Sequence, residues 1–241
     1  MNSHEDLSVI DASRPDTYRW LTWIYDRLAH LVFQGAILQS QRELLAAHDS
    51  VLGSCQHVVW LGGGTGRLLN DLLISAPYAQ VTYIEASASM MSRATREVEP
   101  QHQHRVRWIH QDHRWLWGEQ AQAELPVIDI FITAFFLDVL PEDDCRELAQ
   151  WAQLKVKRWL FADFIPQKRF WARKLIELMY VCFTITTRIE QREMLDLIGI
   201  LSQEGWEHLN PFHTRVRFAR GLIHIDSLTS TKQSSLGDQD G

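Results

Sequence analysis

"VVWLGGGTGRLL" occupies Val58–Leu69. Four apolar residues run into Gly62, Gly63 and Gly64, and Gly66 follows two places on. A helical pattern then begins, with Leu68, Leu69, Leu72 and Leu73 on one face. Glycine permits positive φ and removes side chains that would hold a ligand away. A strand, a glycine-rich turn and a helix in that order form the place where open α/β sheets bind ligands, at the carboxyl ends of their strands. Trp60 is the unexpected residue, a bulky indole two places before the glycines.

Downstream the alternation repeats. "VTYIE" reads as a strand ending in Glu85, and "ASMMSRATREV" as a helix. "VRWIH" is a strand with Asp112 just beyond it, and "VIDIFIT" is the continuous apolar run of a strand buried on both faces. A helix carrying Leu148, Trp151 and Leu154 follows Pro141, and "RWLFADF" is the fifth strand. Such alternation implies an α/β fold, a doubly wound, mostly parallel sheet with helices on both sides. After Phe164 it lapses. "FWARKLIELMYVCF" is a helical insertion, within about residues 165–190, and "MLDLIGILSQEGW" is an amphipathic helix ended by Gly205. Two strand-like runs, "HLNPFHTRV" and "FARGLIHIDSL", have no helix between them, which predicts a terminal antiparallel hairpin and seven strands in all. Upstream, helices are expected over Ser13–Phe33 and Ala36–Ala47. The organisation is a helical cap over residues 1–50, a main domain over 51–228 and a disordered polar tail over 229–241.

Composition narrows the function. Of 241 residues, 46% are hydrophobic and 22% charged, enough for one sizeable core. The net charge of −6 opposes a main task of gripping nucleic-acid phosphates. The longest apolar stretch is interrupted by Asp129 and Asp138, so no stable membrane insertion is expected. The N-terminus lacks a secretory pattern, and a cytoplasmic location is expected. Cys55, Cys145 and Cys182 have neither disulfide nor metal-ligand spacing and read as buried thiols. His102, His104 and His110 complete no familiar ligand motif, so no metal is expected.

The glycine turn leaves three ligands to weigh. A P-loop needs Lys and Ser/Thr after its last glycine, where Arg67 and Leu68 stand. A dinucleotide turn needs a small residue where Arg67 stands, which weakens an NAD(P)-dependent oxidoreductase without excluding it. S-adenosylmethionine has no pyrophosphate, and its ribose and adenine still require polar partners. Glu85 lies about twenty residues past the turn, the spacing of a ribose-binding carboxylate, and Asp112 is placed to accept the adenine amino group.

Taken together, "VVWLGGGTGRLL", "VTYIEASASMM", "IHQDHRWL", "IFITAFFLDVLP" and "WLFADF" resemble the class I S-adenosylmethionine-dependent methyltransferases in order and spacing. "YDRLA", Tyr25–Ala29, is similar to the opening helix of the ubiquinone-biosynthesis-like members, and "FFLDVLP", Asp163–Phe164, Trp171 and Met179–Tyr180 resemble a bacterial subgroup of unassigned substrate. The resemblance covers Tyr18 to Ile225. It implies a Rossmann-like methyltransferase fold with S-adenosylmethionine as cofactor and a small-molecule acceptor. Gly62, Gly63, Gly64 and Gly66 would admit the methionine moiety, and Glu85 with Ala86 would meet the ribose. Asp112 and the His113 backbone would hold the adenine, with Thr133 and Ala134 near the sulfonium. The family carries an acid where Trp60 stands. That departure keeps a cofactor-binding domain without catalysis as an alternative.

Methyl transfer is an in-line displacement that needs alignment more than a catalytic triad. Asp138 and His113 are the candidate bases or acceptor-orienting groups. Tyr25, Phe136, Trp171 and Tyr180 are the expected acceptor contacts. Their apolar and aromatic surface predicts an apolar or aromatic acceptor.

Overall fold

The computed structural model describes residues 35–164, 195–209, 211–216 and 222–231. Tyr25, Trp171 and Tyr180 lie outside these residues, as do most of the expected cap and the insertion.

Helix α1 spans 35–47 and α2 Asp49–Leu52. Strand β1, His57–Leu61, then enters the glycine turn. The alternation continues through α3 (Leu69–Ser75), β2 (Gln80–Ile84), α4 (Ala88–Glu97), β3 (Val106–Ile109), α5 (Glu119–Glu124), β4 (Ile128–Ala134), α6 (Glu142–Lys155) and β5 (Val156–Phe164). Helix α7, Leu197–Gln203, precedes the short β6 (Trp206–His208) and β7 (Phe212–His213), and β8 covers Ile223–Ser230.

The sheet order is β3-β2-β1-β4-β5-β8-β6. The first five strands are parallel, and β8 runs antiparallel between β5 and β6. The expected sixth strand is divided in two. Both β6 and β7 pair with β8, and Pro211 lies between them, with no N–H to give to the ladder. The strand also extends further than expected. Thr229 and Ser230, placed in the tail from the sequence, pair with Glu207 and Trp206.

Alternate side chains of the strands enter two cores. Val58, Trp60, Val81 and Tyr83 pack with leucines of α1–α3, while Val59, Leu61, Phe131 and Phe161 pack with Leu148 and Trp151 of α6 and Leu197 of α7. Cys145, Leu148, Ala149 and Ala152 form the buried stripe of α6. Its first turn carries Glu142, Asp143 and Asp144, and its last carries Lys155, both complementary to the helix dipole. Cys55 and Cys145 are buried free thiols. No helix among the described residues is long and apolar enough to cross a membrane.

Candidate functional site

The turn after β1 needs its glycines for two separate reasons. Gly62, Gly64 and Gly66 all have positive φ, between 63° and 70°, a region costly for residues with a Cβ. Close packing is the other. A Cβ on Gly66 would lie 2.7 Å from the Ala94 Cβ of α4, and one on Gly62 would enter the Phe136 ring.

Glu85 closes this turn. It follows β2 directly and is buried. One carboxylate oxygen accepts the Gly64 N–H at 2.9 Å and the other accepts the Ser87 N–H at 2.8 Å. The Tyr83 hydroxyl donates to the Gly64 carbonyl at 3.1 Å. Burial, and then the Glu85 charge, push that hydroxyl far above its ordinary pKa, so it stays a donor. Asp112 caps the short helix His113–Trp117 by accepting the Arg114 N–H at 3.0 Å. Ala86, just after Glu85, is exposed, its carbonyl hydrogen-bonded to His110.

Trp60 has a structural explanation. In the parallel register Trp60 is the partner of Tyr83, and Tyr83 of Trp108. The three rings form a row across β1, β2 and β3, with centroids 6.1 and 5.3 Å apart. The indole is buried, its Nε1 without a hydrogen-bond partner. It forms one wall of a cavity of about 220 Å³, together with Gln41, Thr65, Arg67 and Arg93. Among the described residues, the lining of this cavity has basic groups and no carboxylate.

The turn after β4 is strained. Phe135 has φ 57°, unusual for an aromatic residue. Its N–H donates to the Ala162 carbonyl at 2.7 Å, and its ring packs on Phe164. Beneath the turn lies Asp163, fully buried. It accepts the N–H groups of Phe136, Leu137 and Phe164 at 2.9–3.2 Å and shares a hydrogen bond with Asp138. Burial, then the nearby Asp138 charge, raises Asp163 well above the usual carboxylate range. Two like charges in one buried pocket oppose each other's ionisation, which favours a protonated carboxyl in this pair. His113 is differently engaged. Its Nε2 lies 2.8 Å from Asp144, which also accepts from Arg114, and its ring meets Trp117 and Phe136 edge-on. Thr133 turns its hydroxyl into the other core, where it accepts from the Trp159 indole at 2.8 Å.

No family model matches the chain, and no curated protein matches it in sequence. Solved structures do. CalO1, a methyltransferase in calicheamicin biosynthesis solved with SAH bound, is 17% identical at a TM-score of 0.53, over 80% of this chain and 54% of its own. The glycopeptide N-methyltransferase MtfA, complexed with sinefungin, is 13% identical at 0.53, over 78% of this chain and 84% of its own. The N-methyltransferase NodS from Bradyrhizobium japonicum WM9 is 13% identical at 0.51, over 83% and 96%. The chain thus spans about half the length of CalO1. The fold is that of the class I S-adenosylmethionine-dependent methyltransferases. In this methyltransferase fold the antiparallel β8, between β5 and β6, marks the departure from the all-parallel dinucleotide order.

The methyltransferase fold brings Gly62, Gly63, Gly64, Gly66, Glu85 and Phe136 together at the ends of β1, β2 and β4. It sets Asp112 and His113 beyond β3. Sequence reading missed three things: the Trp60–Tyr83–Trp108 row, the role of Asp163 under the β4 turn, and a cluster of His208, His224 and Asp226 on the last strands. The one local signal for that cluster was "HID", which puts His224 and Asp226 on one face of a strand.

Proposed function

We propose that the chain is an S-adenosylmethionine-dependent methyltransferase of a small, apolar or aromatic acceptor. The observation that carries this reading is the placement of Glu85. Each of its oxygens takes one backbone N–H at the rim of the glycine turn, and each keeps further acceptor capacity. That capacity suits the two hydroxyls of a ribose. Asp112 spends one oxygen on its cap and can accept an adenine amino group with the other. The fit fails at one end. Trp60 supplies no acceptor for the cofactor's ammonium.

The cofactor brings the electrophilic methyl group; the chain aligns the acceptor and keeps water away. Phe136, held against Gly62 by the strained turn, gives an apolar wall. Asp138, paired with Asp163, is the group to orient an acceptor hydroxyl or amine and to take up its proton. His113 serves as a brace between Phe136 and Asp144. Tyr25, Trp171 and Tyr180 complete the acceptor pocket in this reading.

A second reading, cofactor binding without methyl transfer, is favoured by Trp60 and the basic cavity it lines. Calorimetric titration with S-adenosylmethionine, S-adenosylhomocysteine and NADH tests the assignment. Micromolar binding of the first two alone supports it, and turnover in an acceptor screen then separates the two readings. Binding of NADH alone, or of none of the three, overturns it.

A further inference from the structure

His208, His224 and Asp226 come together from two strands. Asp226 and His224 share one face of β8, and His208 faces them from β6, opposite Leu228 in the register. Asp226 is fully buried. A single carboxylate oxygen, Oδ2, is in contact with His208 Nδ1 and lies 3.4 Å from His224 Nε2. All three potential ligand atoms lie within 4.8 Å of one another.

The second ring nitrogen of His208 and the second oxygen of Asp226 are already engaged in ways that aim these ligands inward. His208 Nε2 is hydrogen-bonded to Ser202 Oγ of α7 at 3.2 Å, which leaves Nδ1 for the cluster. Asp226 Oδ1 accepts the Ser227 N–H at 2.7 Å. The His224 ring packs between Phe161 and the rings of His208 and His213, with centroids 5.9–6.1 Å apart. Such outer partners fix tautomer and ring orientation at metal centres.

We propose that His208, His224 and Asp226 bind one divalent d-block cation of the Zn²⁺ class, clamping the edge strand β6 to β8. At metal–ligand distances of about 2.0–2.1 Å, neighbouring ligands of a tetrahedral ion stand roughly 3.3 Å apart. The Asp226–His224 separation already matches this, and modest ring shifts complete the set. Two imidazoles and one carboxylate select zinc-like ions over Mg²⁺ and Ca²⁺. Three protein ligands leave the fourth position to water. The site is separate from the glycine turn, since β4 and β5 lie between β1 and β8, and it does not depend on the proposed methyl transfer. It does adjoin the Asp138–Asp163 pair, because His224 is the direct cross-strand partner of Asp163.

The test uses the full chain, stripped with chelator. It is titrated at constant pH with Zn²⁺ by calorimetry and with Co²⁺ by visible absorption. The expected result is one equivalent bound with micromolar or tighter Kd, a tetrahedral Co²⁺ spectrum without a thiolate charge-transfer band, and no displacement by hundredfold Mg²⁺. His224→Ala and His208→Gln should each weaken binding at least thirtyfold, while His104→Ala, at an exposed histidine of the short 3-10 turn before β3, leaves it unchanged. Absence of stoichiometric binding by the wild-type chain overturns the proposal, as does a thiolate band, displacement by Mg²⁺, or wild-type affinity in both cluster variants. The wild-type measurements decide the matter even if a variant does not fold.

Discussion

Trp60 and Glu85 stand at opposite ends of what one side chain can reveal. Trp60 sits at a position where a cofactor acid was expected, and its indole instead joins a row of three buried rings. Trp60→Ala should therefore cost about 3–5 kcal/mol, as for other buried aromatics. Urea denaturation measures this, and a loss under about 1 kcal/mol would remove the packing explanation. Glu85 has both structural and ligand-facing capacity. Glu85→Gln keeps the shape but turns one acceptor oxygen into a donor, leaving either Gly64 or Ser87 without its partner. The expected outcome is a stability loss of about 1–2 kcal/mol with S-adenosylhomocysteine binding weakened at least tenfold. Unchanged affinity in the titration would refute the ribose assignment. The position of Glu85 was legible in the sequence because it depends on a short spacing. The meaning of Trp60 was not, because it depends on which residues stand beside it in neighbouring strands.

Helices and turns here are finished by residues distant in sequence. Arg105, buried just before β3, donates to the carbonyls of Leu73, Ala76 and Pro77 at 2.6–3.0 Å. It thereby satisfies one of the last carbonyls of α3, that of Leu73, and the two of Ala76 and Pro77 just past its end. Arg105→Ala should lower stability by about 2–3 kcal/mol, since charged hydrogen bonds are lost and buried acceptors remain. Arg105→Lys, with one compact ammonium, should recover part of it. Thermal melts of the two variants compare them, and equal Tm values would refute the fork-like capping. The β4 apolar run was readable from the sequence, and so was the α6 helix with Leu148 and Trp151 inward, but Leu154, grouped with them, is exposed. The division of the sixth strand into β6 and β7 was marked by Pro211, yet the register of both pieces against β8 required the pairing itself.

Across the molecule, the order of the central strands is tied by Asp129. Its carboxylate accepts the N–H groups of Gln56 and His57 at the start of β1 and the ammonium of Lys157 in β5. Partial burial works against the charge, but these bonds outweigh it and hold the pKa below the ordinary carboxylate value. A depressed folded-state pKa stabilises the fold above the unfolded value and loses that effect as pH falls through the folded one. The contribution should be complete above about pH 5 and decline below about pH 4. Asp129→Asn should therefore lower Tm at pH 7, and the gap to wild type should shrink towards pH 3. A gap independent of pH would show that the charge is not what matters. The sequence by itself determined the strand–helix alternation, the glycine turn, the carboxylate after β2 and the antiparallel ending, because each follows from local spacing and backbone preference. Tertiary packing decided the aromatic row through Trp60, the hydrogen-bonded pairing of Asp138 with Asp163, and the meeting of His208 with His224 and Asp226. These contacts join residues that are far apart in the chain, and sheet register, which spacing does not encode, brings them together.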